Sequence, residues 1–263
     1  MQKLILITGS TDGIGLETAR KLSAEGHNIL LHGRNPAKLE AAKRTLGGDV
    51  EGYVADLSEM ADVEELAKSV AAKHGKIDVL INNAGVFKVP DEITAIGLDV
   101  RFVVNTLAPY VLTRRLLPVM DTSGRIINLS SAAQAPVNLD ALAGQVRLSD
   151  MDAYAQSKLA ITIWSRELAK ELPDGPVVVA VNPGSLLASK MVQEGFGVAG
   201  NDLSIGADIL VRAALSDEFA TASGKYFDND AGRFGEPHSD ALDPEKSGKL
   251  MGVIEDVLAN TTR

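Results

Sequence analysis

The sequence predicts a single α/β domain: a doubly wound parallel sheet of about seven strands with helices on both faces. Three observations lead there. Short apolar runs alternate with longer amphipathic stretches along the whole chain, the pattern of a sheet sandwiched between helix layers. No linker, repeat or low-complexity run interrupts the alternation, so residues 1–263 form one domain. The first apolar run, Leu4–Ile7, leads straight into glycines at 9, 13 and 15, a turn through which backbone can approach a ligand closely.

The elements follow in order. Leu4–Ile7 is strand one, and the helix after the glycines runs through Arg20. His27–His32 is strand two; Gly33-Arg34-Asn35 breaks it, and Pro36 suits the first turn of a helix to about Leu46. Val50–Ala55 is strand three, closing on Asp56-Leu57, and a polar helix then runs to about His74 before Gly75. Ile77–Ile81 is strand four, followed by Asn82-Asn83-Ala84-Gly85. A long helix spans roughly Leu98–Leu117, stopping near Pro118. Gly124–Leu129 is strand five, ending in Ser130-Ser131; Met151–Glu171 is a helix; Val177–Val181 is strand six, closing on Asn182-Pro183-Gly184. A helix near Ser204–Leu215, a short last strand at Lys225–Phe227, a loop over Glu236–Pro244 and a helix over Glu245–Leu258 complete the chain. In such sheets ligands sit beyond the carboxyl ends of the strands, here Gly9, Arg34, Asp56, Asn83, Ser131 and Pro183.

Composition narrows the function. The net charge of −9 disfavours a nucleic acid or an anionic membrane as partner, since both require a basic face. With no cysteine, disulfides and thiolate metal sites are excluded and a reducing cytoplasm is the expected location. Histidines 27, 32, 74 and 238 lack metal-ligand spacing. No stretch approaches the ~18–20 apolar residues of a membrane span.

Two features carry chemistry. The strand–glycine turn–helix opening aims free helical N–H groups at one spot, a seat for a pyrophosphate. Its spacing, Gly-x-x-x-Gly-x-Gly, differs from the Gly-x-Gly-x-x-Gly dinucleotide fingerprint, and Asp12 or Thr11 also suits the helix cap. Tyr154 and Lys158 lie four apart on one helix and share a face. An ammonium ~4 Å from a phenol stabilises the phenolate by ~4 kcal/mol at an effective dielectric of about 20, enough to make tyrosine a usable acid/base. The same pair also fits an exposed helix face. Ser131 offers a hydroxyl at a strand end or a plain turn signal. Asn105 is a polar residue in an apolar helix, functional or a satisfied core amide.

Taken together, these residues resemble the short-chain dehydrogenase/reductase (SDR) family. The matches are Thr8-Gly9-Ser10-Thr11-Asp12-Gly13-Ile14-Gly15, Asp56, Asn82-Asn83-Ala84-Gly85, Asn105, Ser131, Tyr154 with Lys158, and Pro183-Gly184, in the family's order. The resemblance implies a Rossmann-type sheet, a nicotinamide cofactor and hydride transfer between an alcohol and a carbonyl. It implies that Tyr154 is the catalytic acid/base, that Lys158 lowers its pKa and holds the nicotinamide ribose, that Ser131 orients the substrate oxygen and that Asn105 fixes a water in a proton relay. The cofactor set it implies is Gly9, Ser10, Thr11, Asp12, Gly13, Ile14, Gly15, Arg34, Asp56, Leu57, Asn83, Ala84, Gly85, Tyr154, Lys158, Pro183 and Gly184, with Asp56 at the adenine. No metal is expected.

Strand two closes on Gly33-Arg34-Asn35 without a carboxylate. An acidic residue there would bind the ribose hydroxyls of NAD, whereas an arginine can pair with the 2′-phosphate of NADP. NADP(H) is therefore preferred, with a Ser10 hydroxyl in support and NAD(H) admissible; Arg34 as a solvated turn residue is the other reading. The segment near 185–203 mixes apolar residues with glycines, as a substrate lid does. In it Met191, Val192 and Phe196 face substrate or pack as ordinary helix. The long Ser131–Tyr154 interval, with Ser-Lys-Leu-Ala after the tyrosine, resembles the retinol-dehydrogenase-like branch, which implies a hydrophobic alcohol or carbonyl substrate. Apolar residues on more than one face of two helices (Phe102, Leu107, Leu112 and Leu116; Leu159, Ile163, Trp164 and Leu168) point to a homodimer or homotetramer, although Trp164 also fits an intrachain core. A non-catalytic dinucleotide-sensing protein on the same fold is the alternative function.

Overall fold

In a computed structural model, residues 2–47, 50–185, 187 and 200–261 are described. The strands are β1 (Leu4–Ile7), β2 (Asn28–Gly33), β3 (Glu51–Val54), β4 (Val79–Asn82), β5 (Arg125–Leu129), β6 (Val177–Asn182), β7 (Tyr226–Asp228) and β8 (Arg233–Gly235). Among the described residues they form one sheet, in the order β3-β2-β1-β4-β5-β6-β7-β8. Neighbours from β3 to β7 are parallel, and β8 returns antiparallel to β7, pairing Phe227 with Phe234. Strand order reverses between β1 and β4, which opens a crevice at their carboxyl ends.

The helices are α1 (Gly13–Ala24), α2 (Pro36–Leu46), α3 (Met60–Lys73), α4 (Val100–Phe102), α5 (Ala108–Leu116), α6 (Leu139–Leu142), α7 (Asp150–Glu171), α8 (Leu203–Leu215) and α9 (Pro244–Thr261). Side chains alternate across the sheet. Leu6 joins the core beneath α3, α5, α7 and α9, while Ile5 and Ile7 join the opposite core beneath α1, α2 and α8. That two-sided burial is why β1 reads as an unbroken apolar run. Asn35 caps α2 by accepting the Lys38 N–H at 3.0 Å, with Pro36 just inside.

Several elements depart from expectation. The helix expected over Leu98–Leu117 is interrupted by a π turn, Val103–Leu107, between α4 and α5. The loop expected over Glu236–Pro244 contains a 3-10 turn at Ser239–Leu242, and α6 lies inside the Ser131–Tyr154 interval. The β8 strand is an addition: three residues are too few to display a period.

The apolar excess of α5 and α7 needs no second subunit. Phe102, Leu107, Leu112, Leu116, Leu159, Ile163, Trp164 and Leu168 are all buried within one chain, in the core shared with Leu250, Ile254 and Val257 of α9. These residues therefore leave no second apolar face on which the expected homodimer or homotetramer would rest. Among the described residues no helix is long and apolar enough to cross a membrane. Met191, Val192 and Phe196, and most of the expected lid, lie outside the described residues.

Candidate active site

The carboxyl ends of β1 to β6 border a cleft of ≈ 380 Å³. One end is lined by Arg34, Lys38 and Asp56, the other by Tyr154, Lys158 and Pro183, with Gly9 and Thr11 to Gly15 between. The cradle requires its glycines. Gly9 adopts φ +64°, in the left-handed region. A Cβ on Gly15 would lie 2.4 Å from both the Asn83 amide nitrogen and the Gly9 carbonyl. Asn83 braces this turn, its Nδ2 donating to the carbonyls of Thr8 at 2.8 Å and Gly9 at 3.0 Å. Asp12 caps α1 and pairs with Lys38 at 3.1 Å.

Of the expected cofactor residues, Gly9, Thr11, Asp12, Gly13, Ile14, Gly15, Arg34, Asp56, Leu57, Asn83, Ala84, Gly85, Tyr154, Lys158 and Pro183 line the cleft. Ser10 and Gly184 do not. Ser10 is fully buried; its hydroxyl donates to the Ile7 carbonyl at 2.8 Å and accepts the His32 N–H at 2.9 Å. The expectation that this hydroxyl meets a phosphate is corrected: it joins β1 to β2, and Thr11 faces the cleft instead. Gly184 sits behind Pro183, its N–H donating to Asn182 at 3.2 Å.

At the far end, Tyr154 is half-buried, with its ring edge-on to Phe87 at 5.2 Å. Its hydroxyl is hydrogen-bonded to the Ser131 side chain. Burial pushes the phenol above its ordinary pKa, and the Ser131 bond partly opposes this. Lys158 Nζ lies 5.7 Å from the ring centre and donates to the Leu129 carbonyl at 2.8 Å. Burial lowers the Lys158 pKa to about 8. Desolvation is the larger effect on the phenol in this structure, and the Lys158 ammonium is engaged with a carbonyl. Arg101, buried and ion-paired with Asp99, also pairs with Asp150, anchoring the first residue of the helix that carries Tyr154 and Lys158.

Asn105 does not reach the cleft. Its Oδ1 accepts the Val86 N–H at 2.8 Å, and its Nδ2 donates to the Val86 carbonyl at 3.0 Å and to Ser157 Oγ at 3.0 Å. It acts one layer back, holding the Val86 segment that lines the wall. The π turn around it fits this role, since such turns re-aim side chains locally.

Sequence reasoning passed over His32, Lys38, Val86, Val104, Leu129 and Ser130, which also line the cleft. His32 left a signal, a polar residue inside the apolar run of strand two. Lys38, four residues after Arg34 on α2, left another. The apolar wall residues left none. Ser130 lines the cleft, but its hydroxyl is spent on the Lys158 carbonyl at 3.1 Å and on Thr162 at 2.6 Å.

The short chain dehydrogenase family model matches residues 3–196. The chain belongs to the short-chain dehydrogenase family. Human retinol dehydrogenase 13 is 34% identical over 253 residues, covering 86% of this chain and 76% of that protein. A solved structure of an uncharacterized protein from Mycobacterium paratuberculosis matches with a TM-score of 0.82 at 31% identity, covering 97% of this chain and 93% of the other. A short chain dehydrogenase from Burkholderia cenocepacia J2315, solved in complex with NADP, matches with a TM-score of 0.70 at 25% identity, covering 86% and 95%. As a short-chain dehydrogenase, the protein is an NAD(P)-dependent oxidoreductase acting on CH–OH groups.

Proposed function

We propose that this short-chain dehydrogenase uses NADP(H) in preference to NAD(H) and interconverts a hydrophobic alcohol and its carbonyl, with Tyr154 as acid/base. The observation that carries the reading is the hydrogen bond between the Tyr154 phenol and Ser131 at the end of a glycine-cradled cleft, with Lys158 one helical turn on. The cleft accommodates an extended dinucleotide. The backbone at Gly9 to Gly15 receives the pyrophosphate, Arg34 and Lys38 attract a 2′-phosphate, Asp56 and Leu57 border the adenine end, and Pro183 borders the nicotinamide end.

A bound nicotinamide supplies or accepts the hydride. This chain's residues manage the proton. In reduction, the Tyr154 hydroxyl gives its proton to the carbonyl oxygen, and Ser131 orients that oxygen by hydrogen bonding. A phenol held protonated by burial is suited to the acid role. The phenolate left behind is favoured by a neighbouring ammonium, which Lys158, one helical turn on, supplies below its pKa of about 8. In oxidation the same phenolate takes the alcohol proton. Support for an apolar substrate comes from likeness to a retinol dehydrogenase.

The test is NADPH oxidation with a panel of aldehydes and ketones, retinal included, for wild type and Tyr154→Phe. Loss of turnover in the variant with NADPH binding retained is expected. Equal rates would refute the role of Tyr154. Tight NADPH binding by wild type with no turnover on any carbonyl would favour a dinucleotide sensor.

A further inference from the structure

The turn between β7 and β8, Asp228-Asn229-Asp230, reaches across the sheet edge to the residues that follow β6. Asp230 Oδ1 accepts the Ser185 N–H at 2.8 Å, and its Oδ2 accepts the Ser185 hydroxyl at 2.6 Å and Asn182 Nδ2 at 2.9 Å. Asn229 Nδ2 donates to the Pro183 carbonyl at 2.9 Å and to the Ile205 carbonyl, in α8, at 3.3 Å. The Asn229 N–H donates to the Asn182 carbonyl at 3.2 Å. Ser185 passes the tie onward, its carbonyl accepting Asn201 Nδ2 at 3.2 Å.

Among the described residues, the other tie on 183–185 besides that to Asn201 is the Gly184 N–H turning back to Asn182. Pro183 has no N–H to donate, and Gly184 sits at φ +122°, outside any regular element. Their unpaired polar groups need partners, and the hairpin turn supplies partners at each successive residue from Asn182 to Ser185 except Gly184. Pro183 lines the cleft at the end shared with Tyr154 and Lys158. In sheet order β6 is remote from β2 and β3, where Arg34 and Asp56 stand.

We propose that Asn229 and Asp230 are positioning residues for the nicotinamide half of the cofactor cleft, fixing the wall that begins at Pro183. This rests on the dinucleotide reading given above. The hairpin absent from the sequence-based expectations thereby acquires a functional role, since it sets one end of the cleft and leaves the adenosine end alone.

The experiment titrates the full chain with NADPH, followed by NADPH fluorescence, and with adenosine 2′,5′-bisphosphate, followed by calorimetry. The bisphosphate reaches the adenosine end only. The variants are the double substitution Asn229→Ala with Asp230→Ala, the milder Asp230→Asn, and Arg233→Ala as a neighbouring exposed control. The double variant is expected to raise the NADPH Kd roughly tenfold, and Asp230→Asn roughly threefold, with the bisphosphate Kd unchanged in both. Arg233→Ala is expected to match wild type with both ligands. A wild-type NADPH Kd in the double variant overturns the proposal, as does equal weakening of both ligands, which would mark a general loss of structure. Should the double variant fail to fold, the same two outcomes are read from Asp230→Asn. If wild type binds neither ligand, the dinucleotide reading itself fails and the proposal falls with it.

Discussion

The N–H of Gly9 donates to Nδ1 of His32 at 3.1 Å, and Nε2 on the opposite side of the ring meets the Ala55 carbonyl at 3.1 Å. Accepting at Nδ1 leaves the proton on Nε2, where it can donate to Ala55, so the ring sits neutral between the glycine turn and the end of β3. Burial lowers its pKa from 6.5 to about 4. Above pH 6.5 the imidazole is neutral in both folded and unfolded chains. As pH falls below that value the unfolded chain gains a proton that the folded chain refuses, and stability is lost down to about pH 4. The loss from this one group is on the order of 2 kcal/mol by pH 5. Urea denaturation at pH 7 and pH 5 is expected to show it, and His32→Gln is expected to flatten the difference.

Gly15→Ala forces a methyl into backbone. Its Cβ would stand 2.4 Å from the Gly9 carbonyl oxygen, which cannot rotate away as a flexible side chain would. Overpacking of this kind costs about 3 kcal/mol, and it displaces the turn proposed to meet the pyrophosphate. A lower urea midpoint together with loss of NADPH binding is the expected result.

Arg34 and Lys38 line the same end of the cleft, and both are exposed. Replacing both with alanine is expected to raise the Kd for NADPH by roughly 10- to 100-fold while leaving that for NADH nearly unchanged. Exposed charges are screened by salt, so the gap between wild type and variant narrows at high ionic strength. Paired titrations at low and high salt check both statements.

Asn105→Ala leaves the Val86 N–H and carbonyl without their partners. Unpaired buried backbone groups cost ~1–3 kcal/mol each. A loss of about 3 kcal/mol in urea denaturation is expected, accompanied by weaker NADPH binding because Val86 lines the cleft.

Much of the sheet was legible because strands buried on both faces write themselves as uninterrupted apolar runs. Leu4–Ile7 and Val177–Val181 show no alternation, and both lie mid-sheet. The glycine turn and the ends of β2, β3 and β4 were legible because close backbone approach admits few residue types. What escaped notice is decided by orientation and by long-range partners. Ser10 and Thr11 are adjacent and chemically alike, yet His32 claims the first and leaves the second to the cleft. The behaviour of Tyr154 depends on how far the fold desolvates it, which spacing along a helix does not encode. The β7–β8 turn takes its meaning from residues about 45 positions upstream.

Helix α9 lies wholly beyond residue 196, where the family model ends. Yet Leu250, Ile254 and Val257 share one core with Trp164 and Leu168. A protein trimmed to the shared family segment would lay bare a tryptophan and its aliphatic neighbours on the very helix that presents Tyr154. Such a fragment would be expected to self-associate or to be digested quickly by protease. The segment beyond residue 196 thus acts as the stopper that keeps the Tyr154 helix dry.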